Sequence, residues 1–241
     1  MLFQRLSAFV LVSAVAVLPS TAQASAFESL EALNQENFEV LAENLSAATS
    51  YRGITPTEPL GIVGFDVGIS LTATEIDDDI VDLASDGDFD LGQILVPKLH
   101  IHKGLPFGFD IGGFASAIPE TDITLLGAEV RKAIFEGSAV TPAVGVRLAY
   151  STVEGLDQLS LDNLSLDISI SKGVLFFTPY AGLGVVITRA EASEEFGLDD
   201  ETVNQERVYA GLNINVGLNI TVEADRTGDF TSLGAKVGFR F

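Results

Sequence analysis

From residue 61 to the C-terminus the sequence alternates apolar and polar side chains with period two, in segments of about ten residues ended by Gly, Pro, Asp or Lys. A chain patterned this way must bury one face of each strand and wet the other, so helical bundles and parallel α/β folds are excluded. The clearest segment is the last, Thr231 to Phe241. Leu233, Ala235, Val237, Phe239 and Phe241 fall on one side, and Gly234, Lys236, Gly238 and Arg240 on the other. Ten such segments are expected, near 61–75, 92–102, 107–117, 123–135, 140–152, 162–171, 176–189, 205–216, 218–226 and 231–241.

A soluble β-sandwich or lipocalin-like barrel also alternates, so the medium facing the apolar side must be argued separately. Hydrophobic residues make up 47% of the chain and the mean hydropathy is +0.35, yet acids outnumber bases by 34 to 13. Both facts fit a barrel with lipid outside, a polar lumen and charged loops. An even number of strands returns the C-terminus to the side where the first strand began. Connections such as 103–106 and 172–174 are expected to be short, and 76–91 and 190–204 long. Phe107, Phe109, Phe135, Phe176, Phe177, Phe239 and Phe241 then gather at one rim as an aromatic girdle, with Tyr150 at the other.

A final strand of this kind, closed by a C-terminal Phe, resembles the last strand of Gram-negative outer-membrane β-barrels. The resemblance implies an all-β, transmembrane, antiparallel up-and-down barrel of about ten strands (roughly 8–12). It further implies an outer-membrane location, a monomer surrounded by lipid and lipopolysaccharide, and Val237, Phe239 and Phe241 as the signal for the barrel assembly machinery.

The N-terminus reads as a signal peptide over residues 1–24: Arg5, an apolar run from Ala8 to Leu18, and Ala22-Gln23-Ala24 before the expected cleavage. No Cys follows, which excludes a lipoprotein anchor and any disulfide. Residues 25–60 form a second unit before the barrel of residues 61–241. Leu30, Leu33, Phe38, Leu41, Leu45 and Ala48 predict an amphipathic helix over 26–49 with no Lys or Arg, followed by the stiff Thr55-Pro56-Thr57-Glu58-Pro59. The acidity excludes nucleic-acid partners, because no basic stripe is present to neutralise phosphates.

Alternation turns a charged set inward: Lys98, His100, His102, Arg131, Arg147, Arg207, Lys236 and Arg240 facing Asp66, Asp110, Glu129, Asp167, Glu223 and Asp225. Such charges either pair and fill a narrow interior or line a small polar passage. His100 and His102 could offer two nitrogens to a metal, but no third ligand is evident. Omptin proteases resemble this architecture, yet their catalytic Asp-His pair at the outer mouth has no match here. The Ser-His arrangement of lipid A deacylase barrels lacks its serine at His100-Ile101-His102. No cofactor and no catalysis are expected.

Asp86-x-Asp88-x-Asp90 in the first acidic loop is a candidate weak Ca²⁺ or Mg²⁺ site, although Leu91 and Pro97 stand where an EF-hand needs Gly and Glu. The leading functional reading is a narrow or helix-plugged channel for small solutes, with the helix at or inside the periplasmic mouth and its glutamates toward Arg131, Lys236 and Arg240. The alternative is a structural or surface-interaction barrel with acidic, cation-binding outer loops; a lipid-modifying enzyme ranks below both.

Overall fold

The computed structural model describes residues 30, 33–77, 92–117, 123–156 and 158–241. The expected signal peptide and Asp86, Asp88 and Asp90 lie outside these residues. Ten antiparallel strands close into one barrel, each paired with its chain neighbours and β1 with β10. They are β1 Phe65–Glu75, β2 Gln93–Gly104, β3 Phe109–Ala117, β4 Thr124–Phe135, β5 Ala143–Glu154, β6 Leu159–Ser171, β7 Phe177–Ala192, β8 Glu201–Asn215, β9 Asn219–Thr227 and β10 Phe230–Arg240. Closure leaves no open edge. It is completed by reciprocal backbone hydrogen bonds between Phe65 and Phe241.

The strands depart from the sequence expectation mainly in length. β7 and β8 continue to Ala192 and from Glu201, so the long connection expected over 190–204 contracts to 193–200. Val203 and Ala190 are buried there, which gives these strand extensions an inner face to pack. Between β8 and β9 the chain turns at Gly217, whose φ of 98° is left-handed.

The outward side chains are apolar over most of the strand length. Val67 (39% exposed), Val130 (40%) and Leu166 (54%) all face away from the barrel axis. Phe65, Phe107, Phe109, Phe135, Phe176, Phe177, Phe239 and Phe241 are exposed at the end where β10 finishes, called here the Phe241 end. At the opposite end the polarity inverts. On β7 the outward series runs Leu183, Val185, Ile187 and then Arg189, while the inward series runs Val186, Thr188, Ala190. On β8, Thr202, Asn204 and Glu206 face out and Val203 faces in. The barrel therefore continues past its apolar belt, with a wet exterior and a greasy interior.

Into that greasy cup fits α1, Gln35–Thr49. Asn34 caps it by accepting from the Asn37 amide at 2.9 Å. Its buried face, Phe38, Leu41, Ala42 and Leu45, joins one apolar cluster with Leu125, Ala149, Val153, Leu161, Ala190 and Val203 of the wall. Each large side chain so buried contributes about 1.5–3 kcal/mol relative to exposure. The expected helix position is therefore corrected: α1 lies at the end opposite Phe241, not among Arg131, Lys236 and Arg240. The reason is complementarity, since the wall is apolar at the level of the helix and ionic below it. Residues 50–60 then run down the lumen and emerge before β1.

Candidate functional site: the filled lumen

The descending linker is hydrogen-bonded to wall residues at several levels. At its top, Ser151 donates to the Thr49 carbonyl (3.0 Å), Asn163 Nδ2 donates to Thr49 Oγ1 (3.1 Å), and Thr188 donates to Ser46 Oγ (2.6 Å). Arg207 donates to the Tyr51 carbonyl at 2.8 Å and to Ser50 Oγ. Lower down, Arg131 donates to the Pro56 carbonyl (3.1 Å), and Arg240 donates to Thr55 Oγ1 (2.6 Å) and the Glu58 carbonyl (2.9 Å). At the exit, Asp110 accepts from the Leu60 amide (3.1 Å), and Glu58 Oε1 accepts from the Gly173 amide (2.6 Å). The wall thus supplies the partners that a strand in a sheet would supply.

The linker contributes one charge of its own. Arg52, 2% exposed, donates from Nε to Asp225 Oδ1 (2.6 Å) and from Nη2 to Asp225 Oδ2 (3.1 Å), the Ser232 hydroxyl (2.8 Å) and the Ala47 carbonyl (2.6 Å). Gly53 follows because the chain passes so close to the wall that a Cβ there would lie 2.9 Å from Arg147 Nη1. Ile54 then takes a left-handed φ of 45°, strained for a β-branched residue, and its Cδ1 would lie 3.0 Å from a Cβ at Gly234.

The inward charged set forms linked ion pairs. Asp66 takes Lys236 (3.0 Å) and Arg240 (3.2 Å); Asp110 takes Arg131 (3.0 Å); Asp167 takes Arg147 (2.8 Å). Glu129 lies 2.9 Å from Arg131 Nε, 3.7 Å from Arg147 Nη1 and 3.4 Å from His102 Nε2. Glu223 accepts from the Tyr180 hydroxyl (2.7 Å), and Arg207 donates to Thr227 (3.1 Å). His100 Nε2 meets Ser70 Oγ at 2.8 Å, so both imidazoles engage wall side chains. Lys98 is buried over the Phe114 ring, 4.5 Å from its centroid. Beside Thr55, Thr57, Arg131 and Arg147 a cavity of about 10 Å³ remains, room for roughly one water.

Sequence reasoning missed two parts of this arrangement. Arg52 was legible as the lone base between Arg5 and Lys98, but nothing in its neighbours marks it as a lumen residue. The second is a set of rings lying on glycines across strand pairs: Tyr180 over Gly211, Tyr209 over Gly182, Phe114 over Gly127 and His102 over Gly112. A Cβ on Gly211 would lie 2.3 Å from Tyr180 Cζ, and one on Gly182 the same distance from Tyr209 Cζ. The glycines let the large rings lie flat along the wall and leave the axis to the linker. Val237 and Phe239 point outward on β10, and Phe241, exposed just past it, has its ring 6.2 Å from that of Phe65.

No protein-family model matches the sequence, and no curated protein does. Several solved structures are similar to parts of the chain at low identity. The N-terminal β-barrel domain of Pseudomonas aeruginosa OprF is 15% identical, covering 72% of this chain and 97% of its own, with a TM-score of 0.37. Neisserial surface protein A is 13% identical over 73% of this chain and 95% of its own (TM-score 0.32). The KdgM porin is 11% identical over 74% and 99% (TM-score 0.35). Such scores are too low for any property of these proteins to pass to this chain.

Proposed function

We propose that the chain is an outer-membrane barrel sealed by its own N-terminal segment, with its working surface at the end that carries α1. The apolar belt supports a lipid setting. On β7 it runs from Phe177 to Ile187, about 26 Å at ~3.4 Å per residue and ~40° tilt, near the ~25 Å of a bacterial barrel. The Phe241 end, girdled by aromatics and holding both ends of the sheet, faces the periplasm in this reading. The polar extension past the belt then stands outside the cell, and α1 sits in its mouth.

The observation that carries the sealed reading is the occupation of the lumen by residues 44–56, all of them buried, with residues 57–60 half-buried just below. A ten-strand barrel has little bore once its inner side chains are in place, and here the linker takes the rest. The outer surface is strongly acidic: Glu36, Glu39, Glu194, Glu195, Asp199, Asp200 and Asp229 are exposed. Lipopolysaccharide phosphates approach such a collar only with divalent cations between them, which makes the outer rim a surface for cation-bridged contact. Planar-bilayer recording tests the seal. The intact protein passes no steady current, and a variant lacking residues 33–60 conducts; well-resolved channels from the intact protein would contradict the proposal.

A further inference from the structure

Lys98 stands apart from the other lumen cations. Its Nζ is buried and meets no hydrogen-bond acceptor among the described residues. Two hydroxyls near it are also buried and without partners, Thr72 Oγ1 and Ser116 Oγ. Ser70 pairs with Lys98 and Thr72 with Val96, so Thr72 lies diagonally beside Lys98 on the inner face of β1 and β2. Ser116 lies on the inner face of β3, one step past the Leu99–Ala115 pair and therefore on the other flank of Lys98.

The charge of the lumen points the same way. Among the described residues the inward cations are Arg52, Lys98, Arg131, Arg147, Arg207, Lys236 and Arg240; the inward carboxylates are Asp66, Asp110, Glu129, Asp167, Glu223 and Asp225. The half-buried Glu58 at the exit brings the two sets to seven each, and Lys98 makes no ion pair among the described residues. Near Lys98 the acting charges are Arg52, Arg207, Asp225 and Glu223; Asp225 is already paired with Arg52, and the Glu223 carboxylate is turned to the Tyr180 hydroxyl. An ammonium without a hydrogen-bond acceptor in a filled, low-dielectric interior is costly, and a second set of orphaned donors beside it adds to that cost.

We propose that Lys98 Nζ, with the hydroxyls of Thr72 and Ser116, holds a small monovalent anion of the halide class inside the barrel. A halide brings a negative charge to Lys98 and accepts from all three donors without needing a donor in return. The inference rests on the filled lumen, because in a water-filled pore Lys98 would be hydrated.

Crystals of the full chain grown in sodium bromide are the direct test, read by anomalous diffraction at the bromine edge. A peak within hydrogen-bonding reach of Lys98 Nζ is expected. In detergent, the thermal midpoint of the wild type should rise with chloride replacing gluconate at constant ionic strength. K98M should lose that rise, and T72V and S116A should each raise the half-saturating chloride concentration about tenfold. If K98M does not fold, the two hydroxyl variants carry the comparison. No bromide peak beside Lys98, or an unchanged chloride dependence in T72V and S116A, would overturn the site. Neither readout measures conductance, so failure here leaves the sealed-lumen reading standing.

Discussion

Arg52 and Asp225 are joined through two hydrogen bonds, 2.6 and 3.1 Å, with both side chains about 2% exposed, and this pair pins the linker to β9 in the interior. Removing one partner leaves a buried charge alone. D225A should therefore destabilise the barrel by about 3–5 kcal/mol. Replacing both residues with apolar ones of similar size, as in R52M/D225L, should recover most of that loss. Unfolding in urea from detergent micelles measures both.

The Tyr–Gly pairs predict a second, steric effect. G211A places a Cβ 2.3 Å from Tyr180 Cζ, and the ring cannot retreat into the linker. Overpacking of this kind costs about 1–3 kcal/mol. The same alanine should be much better tolerated in a Y180S background, where the ring is gone. A double-mutant cycle on unfolding free energies shows whether the two residues couple as the contact requires.

Glu43 on α1 supplies a pH dependence. Partial burial, then the neighbouring charges of Glu39 and Asp229, push its carboxyl above the usual range. The folded state thus disfavours the charged form. Stability from this residue is greatest below the unfolded carboxylate value, and it is lost as pH rises through the raised folded one. E43Q should be more stable than the wild type at pH 7, by less than about 1 kcal/mol given the solvent screening of a half-buried group. The difference should close as pH falls to 4, as thermal midpoints across that range will show.

Much of this fold is legible in the sequence because a two-residue period on a closed sheet settles which side chains turn inward. Asp66, Arg147 and Lys236 could be placed on the inner wall from parity alone. What parity cannot give is height along the axis. The inversion near Ile187 and Arg189 is written in the same alternation, but reading it requires knowing where the apolar belt ends. Without that level the glutamates of α1 point to the basic mouth at the Phe241 end. The apolar wall around Leu161 and Val203 decides for the other, since burying Phe38 and Leu41 outweighs contacts that exposed carboxylates make through water. Arg52 escaped for a related reason: its partner Asp225 is 173 residues away, and only the threaded path brings them together.

The threaded path is the central claim, and the absence of cysteine from the sequence makes it directly accessible to single-cysteine labelling. Glu39 is exposed on α1, and Ile62 is exposed at the Phe241 end, just past the linker. A membrane-impermeant maleimide added to intact cells should label E39C and spare I62C, with both labelled once the outer membrane is permeabilised. Labelling of I62C with protection of E39C in intact cells would contradict the account.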